Sequence, residues 1–162
     1  MTSSTESRPS GLPGGPVHGL PVPSDANLHF WQGGREGRLQ FLRCEACGWW
    51  LHPPMPVCPQ CLSRDLTVQA VTGRGTVYSY TVNHQPWYAG QEVPYVVALV
   101  ALPEQAGLRL MTNVVGCPVE DVHIAMAVTV EFVEIEDVFV PLFRPDPGSA
   151  NDAAPAAEGT PS

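Results

Sequence analysis

One stretch of eighteen residues, Cys44 to Cys61, limits what this chain can fold into: C-E-A-C-G-W-W-L-H-P-P-M-P-V-C-P-Q-C. Two C-x-x-C hooks, Cys44/Cys47 and Cys58/Cys61, stand ten residues apart. A two-residue gap lets both cysteines of a hook aim at one point while backbone N–H groups turn toward the sulfurs, as a tetrahedral thiolate site requires. Gly48, directly after the first hook, suits the left-handed backbone of such a knuckle. Leu62 holds the matching place after the second hook, which predicts a less ideal knuckle there. Pro53, Pro54 and Pro56 stiffen a spacer long enough for a ribbon hairpin.

Two disulfides are the rival reading, and they need an oxidising compartment. Residues 1–26 lack the apolar run of an export signal. A redox C-x-x-C would open a helix in a βαβ unit, and no such pattern follows here. The stretch therefore reads as a structural metal site with Cys44, Cys47, Cys58 and Cys61 as ligands. Zn²⁺ is favoured over iron, although thiolate ligation alone does not separate the two. With all four positions filled, no site is left for water or substrate, so the metal folds the chain and does not catalyse. His52 is an alternative ligand whose plainer reading is a loop side chain, and Cys117 reads as a small core residue.

Composition sets the frame around the hooks. The 162 residues suit one domain or a domain with a small module attached. Residues 1–26 and 146–162 are rich in Ser, Pro, Gly and Ala without apolar period and read as disordered tails. Residues 27–67 read as a short helix plus ribbon, and residues 68–145 as a β-barrel. No stretch is long and apolar enough to span a bilayer, so the expected location is cytoplasmic. Between residues 27 and 145, 11 Asp and Glu stand against 7 Arg, a balance of −4, and lysine is absent throughout. Nucleic-acid binders normally carry a basic footprint, so this balance argues against that partner.

Asn27 or Asp25 would cap a short helix carrying Phe30 and Trp31, limited by Gly33, Gly34 and Gly37. Those two aromatics serve either packing on the ribbon or barrel, or docking onto a partner. Thr76 to Val82 alternates as a strand, with Val77, Ser79 and Thr81 on one face and Tyr78, Tyr80 and Val82 on the other. The preceding Gly73-Arg74-Gly75 favours a bulge or corner. Pro94 to Leu102 is apolar on both faces and predicts a strand covered on both sides. Leu108 to Val115 is a third strand, and Pro118 to Ile124 a helical turn or two. Ala127 to Ile135 is a fourth strand with a bulge expected between Phe132 and Val133, where the apolar parity switches. Val138 to Phe143, after a Glu136-Asp137 turn, is the fifth. Five strands with a helix between the third and fourth match an OB-type barrel. The fold class is thus mostly β, a rubredoxin-like zinc ribbon with a short N-terminal helix followed by a five-stranded OB-fold.

Several stretches in order resemble one family. They are Phe30-Trp31 with Gly37-Arg38-Leu39, the C-x-x-C-G…P-P…V-C-P-x-C ribbon, and Gly73-Arg-Gly-Thr-Val-Tyr-Ser-Tyr-Thr81. Pro94-Tyr-Val-Val-Ala-Leu-Val100, Arg109-Leu110 with Asn113, and Pro141-Leu-Phe-Arg-Pro145 complete the set, covering about residues 28–145. The chain resembles the zinc-ribbon/OB-fold proteins named domain of unknown function thirty-five. Two departures stand out: Met55 sits where many members carry Arg, and Ala125-Met126-Ala127 where Gly-Met-Pro is usual. The first puts any phosphate contact beside the ribbon in doubt. The resemblance implies an accessory subunit that pairs with a thiolase-fold enzyme (acetoacetyl-CoA thiolase, hydroxymethylglutaryl-CoA synthase or lipid-transfer-protein-like aldolase) or with a MaoC-like enoyl-CoA hydratase. It also implies acyl-CoA at a shared site, in sterol side-chain or other lipid degradation.

A catalytic reading requires a nucleophile with its base, or paired carboxylates in a pocket. No such constellation is legible. His84 with Trp87 and Tyr88 marks a loop after the first long strand, read as cover for the barrel mouth or as a partner-facing lid. The acidic run Glu131, Glu134, Glu136 and Asp137 reads as a solvated edge. CoA phosphates need cations, and Arg74, between two glycines, is the first choice, with Arg38 behind it. The expected contacts to CoA or partner are thus Arg74, Arg38, Trp31, Phe30 and Trp87. The expected function is a non-catalytic accessory subunit. The alternative is a single-stranded nucleic-acid-binding OB-fold using Tyr78, Tyr80, Trp87 and Tyr88 as stacking platforms.

Overall fold

The computed structural model describes residues 21–87 and 91–149. The expectations for Tyr88 and for most of both tails lie outside the described residues.

The first turn of structure is short because its sequence cannot sustain more. Helix α1, Leu28–Gln32, passes into a 3-10 turn at Gly33–Glu36, and Gly37 ends it with a left-handed φ of 67°. Asn27 occupies the N-cap position, but its Oδ1 accepts the Ser24 N–H at 2.7 Å and makes no cap to the helix. Tertiary packing therefore holds this segment, since an isolated helix of one turn is unstable. Phe30 is buried, its ring 6.0 Å from Phe41 and 4.8 Å from His52.

Strands β1 (Gln40–Cys44), β2 (Trp50–Leu51) and β3 (Leu66–Ala70) form an antiparallel ribbon sheet in the order β2-β1-β3. Strand β3 is not among the elements expected from the sequence. Its Leu-Thr-Val-Gln-Ala carries a weak pattern because it lies at the sheet edge, with Val68 exposed.

The remaining strands are β4 (Arg74–Asn83), β5 (Tyr95–Ala101), β6 (Arg109–Val114), β7 (Ala127–Ile135) and β8 (Val138–Pro145). They close a barrel in the order β4-β5-β6-β8-β7, with β6 and β8 parallel and the other pairs antiparallel. This is the expected OB-type barrel. Val77, Val96, Val100, Val128 and Phe143 fill its interior. Gly75 is needed where β4 crosses β5, because a Cβ there would lie 2.5 Å from Val100 Cγ1 and 2.6 Å from the Ala101 carbonyl.

The bulge falls in a different strand from the one expected. Strands β7 and β8 pair without interruption from Val128–Pro145 to Ile135–Val138, whereas β4 breaks register against β5 between Val77 and Ser79. The parity switch in β7 has another cause. Its inner face passes from Val128 to Phe132, which packs against the core under the Gly33-Gly34 turn, while Val133 and Ile135, equally half-buried, lie on the opposite face. The expected faces of β4 are likewise revised. The bulge at Tyr78 ends strict alternation, and both Tyr78 and Tyr80 are exposed. Strand β5 is covered fully on its inner face and partly on its outer one. Pro118 to Ile124 yields a single 3-10 turn, Val119–Asp121.

One hydrophobic cluster contains Phe30, Phe41 and Trp50 from the helix and ribbon together with the barrel interior. Cys117 packs at its margin. A smaller cluster of Cys44, Leu51 and Cys58 underlies the hooks. Among the described residues, no helix is long and apolar enough to cross a membrane.

Candidate metal centre and interfacial groove

The four cysteines converge. All their sulfurs lie within 4.8 Å of one another, and Cys44–Cys61 and Cys47–Cys58 are each 3.6 Å apart. A tetrahedral ion with metal–sulfur bonds of about 2.3 Å puts its sulfurs about 3.8 Å apart. A disulfide would need about 2.05 Å. The cluster therefore fits a metal and none of its thiols is paired covalently. The donor set is a structural metal site with every tetrahedral position taken by protein.

Both hooks use the same backbone device. Gly48 N–H donates to the Cys44 carbonyl at 2.8 Å and Leu62 N–H to the Cys58 carbonyl at 2.9 Å. Gly48 has φ 76° and Leu62 φ 63°. The expected asymmetry between the knuckles is absent in the backbone: Leu62 accepts the left-handed conformation, its side chain standing in solvent. Backbone N–H groups of Trp49, Gln60 and Ser63 point at Cys47, Cys58 and Cys61 respectively, and the Cys61 N–H also serves Cys58. At Cys58 burial opposes ionisation, but the N–H groups of Cys61 and Gln60 and the sulfurs of Cys47 and Cys44 outweigh it, bringing the thiol down to about 7. At Cys47 the Trp49 N–H favours the thiolate, yet burial and the other three sulfurs push it up to about 12. Four sulfurs this close cannot all ionise without a cation among them.

His52 is not a ligand. Its ring stacks on Phe41 at 4.5 Å and lies tilted by 33° against Phe30 at 4.8 Å, and burial, with His29 nearby, lowers its pKa to about 4. The neutral ring thus acts as an aromatic spacer between ribbon and helix.

A groove of 790 Å³ opens where helix, ribbon spacer and barrel meet. Phe30 and Trp31 line it from α1, His52, Pro53 and Pro54 from the ribbon, and Leu99, Met111 and Leu142 from β5, β6 and β8. The lining is largely apolar, with Arg109 the cation that reaches it. The Arg109 guanidinium lies 3.5 Å from the centroid of the Tyr78 ring, which flattens it against the barrel wall.

The site residues expected from sequence separate into groups. Phe30 and Trp31 meet at this groove, Phe30 as a buried part of its wall and Trp31 half-buried. Arg74 faces a different cavity beside Asp146, its Nε 3.8 Å from the carboxylate. Arg38 stands in solvent with Glu36 at 3.8 Å, and Trp87 is 75% exposed on the β4–β5 loop. The flanking glycines single out Arg74 in the sequence, yet Arg109 is the arginine at the groove. The alternation of β6, which puts Arg109 and Met111 on its outer face, is the sequence signal that points to it.

Comparisons with known proteins agree with this geometry. The ChsH2 rubredoxin-like zinc ribbon domain matches residues 31–67, and the ChsH2 C-terminal OB-fold domain matches residues 68–133. A relative from Thermomonospora curvata, the probable enoyl-CoA hydratase alpha subunit, is 39% identical over 145 residues, spanning 89% of this chain and 43% of its own length. The 3-oxo-4,17-pregnadiene-20-carboxyl-CoA hydratase alpha subunit of Mycobacterium tuberculosis is 34% identical over 126 residues, spanning 78% of this chain and 40% of that one. This chain thus spans less than half the length of either relative. Among solved structures, a chain of the Ltp2-ChsH2(DUF35) aldolase is 40% identical with a TM-score of 0.70, and the match covers 78% of this chain and 98% of that one.

Proposed function

Because the chain belongs to the ChsH2 (DUF35) family of zinc-ribbon/OB-fold proteins, we propose that it is a non-catalytic accessory subunit of an acyl-CoA enzyme. Its partner in this reading is a thiolase-fold aldolase or thiolase, or a MaoC-like enoyl-CoA hydratase, acting in sterol side-chain or other lipid degradation. The observation that carries the reading is the 98% coverage, at 40% identity, of a chain of the Ltp2-ChsH2(DUF35) aldolase. The hydratase alpha subunits similar to this chain favour the same acyl-CoA chemistry.

In this reading Cys44, Cys47, Cys58 and Cys61 hold Zn²⁺, which pins the ribbon and takes no part in turnover. Residues 27–67 and 68–145 are its two working units, flanked by tails. The groove lined by Phe30 and Trp31 meets the partner, and Arg38, Arg74 and Trp87 serve as outlying contacts to it or to CoA. Four reduced cysteines at metal spacing favour the cytoplasm.

Pull-down with the metal-loaded chain against purified acyl-CoA enzymes of both fold types tests the proposal. A stoichiometric complex with one of them is expected. Turnover of an acyl-CoA by the isolated chain, or failure of every such enzyme to bind, would overturn it.

A further inference from the structure

Strand β2 is the edge of the ribbon sheet, and it is only two residues long. An edge strand this short has an open row of backbone groups that something must satisfy. The partner is a side chain fifty-five residues away. Trp50 N–H donates to Gln105 Oε1 at 2.7 Å, and Gln105 Nε2 donates back to the Trp50 carbonyl at 3.3 Å. The carboxamide thus imitates one peptide unit of a further strand. Gln105 belongs to the turn that joins β5 to β6, closed by Leu108 N–H donating to the Gln105 carbonyl and Leu102 N–H to the Leu108 carbonyl, each at 3.0 Å. The neighbouring Glu104 takes a second backbone group, the Thr72 N–H at 2.6 Å, in the segment between β3 and β4. One turn of the barrel therefore grips the ribbon edge and the ribbon's exit together.

We infer that the β5–β6 turn is a latch and that Gln105 is a positioning residue: it fixes the angle of the ribbon against the barrel and so sets the shape of the groove between them. The connectivity carries this. Trp50 and Leu51 run directly into His52-Pro53-Pro54, one wall of the groove, while β5 and β6 supply Leu99 and Met111 of the opposite wall. The two walls are thus tied through the turn that links β5 and β6. Packing of His52 on Phe30 and Phe41 holds the same wall from behind, but aromatic stacking tolerates sliding, whereas a paired donor and acceptor fix both distance and direction. The latch governs the ribbon–barrel angle alone, whether or not the partner is an acyl-CoA enzyme.

Residual dipolar couplings on the zinc-loaded full chain test it. In the native protein one alignment tensor fits the amides of ribbon and barrel together. Gln105→Leu keeps the bulk of the side chain and removes both bonds. It is expected to require two different tensors while each unit still fits its own, with all zinc retained and with Trp50 amide protection falling about tenfold, the size of one lost hydrogen bond. Gln105→Glu, which keeps the acceptor and loses the donor, should fall between the two, and it serves as the reporter if Gln105→Leu loses its metal. A single tensor for both units in the metal-loaded variant, with Trp50 protection unchanged, would overturn the latch.

Discussion

The histidine in the ribbon spacer gives the fold a built-in acid sensitivity whose size follows from its surroundings. His52 lies against Phe30 and Phe41, and burial, then the nearby His29, lower its pKa from 6.5 to about 4. The unfolded chain therefore binds a proton at His52 between those values while the folded chain does not. Stability from this group is complete above pH 6.5 and is lost as the pH falls toward 4. Going from about pH 7 to about pH 5, the linkage relation gives a loss of about 2 kcal/mol from His52. His29, also lowered by burial, adds loss of the same sign. Urea unfolding of the metal-loaded protein at several pH values measures the slope, with metal content checked at each point because thiolates also protonate in acid. His52→Phe keeps an aromatic ring in the stack and removes the titration. Its absolute stability is set by packing, so the comparison rests on slope alone. The wild type should lose about 2 kcal/mol more than His52→Phe across this range. Equal slopes in the two proteins would refute the buried, neutral His52.

Three further outcomes are expected. Gly34→Ala places a Cβ 2.5 Å from Phe132 Cδ1 and Phe139 Cβ and should cost about 1–3 kcal/mol by overpacking; thermal unfolding measures this. Gly37→Ala meets no atom within 4 Å but must adopt φ 67°, so its cost is about 1 kcal/mol from the backbone alone; it should leave amide exchange in β7 and β8 unchanged, while Gly34→Ala should raise it. Cys58→Ser, or a strong chelator, should release the metal and unfold the ribbon, because structural zinc binding supplies about 10–16 kcal/mol to such small sites. Metal analysis with circular dichroism checks that, and a ribbon that stays folded without metal would contradict the structural role.

Much of this architecture is legible in local sequence because local spacing enforces it. The two hooks constrain their own backbone, and the apolar periods of β5 and β6 are set by a single buried interior. The features that escape a sequence reading depend on distant residues. Strand β3 has a faint pattern because its outer edge faces solvent. The parity change at Phe132 and Val133 mimics a bulge because the Gly33-Gly34 turn, almost one hundred residues earlier, covers one face of the hairpin. The real bulge at Tyr78 leaves no local mark, since a bulged residue in solvent needs no special side chain. Leu62 adopts φ 63° without glycine because the closed hook holds it there. At the groove, Phe30 and Trp31 are visible as hydrophobic residues in a polar segment. Arg109 is marked only by the alternation of β6, and Gln105, in the β5–β6 turn, is not marked at all, since its role arises only when that turn meets the ribbon.

The proposed role is to complete another protein's acyl-CoA site without performing chemistry itself. It is tested most directly by steady-state turnover of an acyl-CoA substrate by a thiolase-fold or MaoC-like partner, alone and with the metal-loaded chain added. The expected result is no turnover by the chain alone, a gain when both are present that saturates at a fixed stoichiometry, and loss of that gain with Cys58→Ser. Turnover by the isolated chain, or partner rates unchanged by its addition, would contradict it.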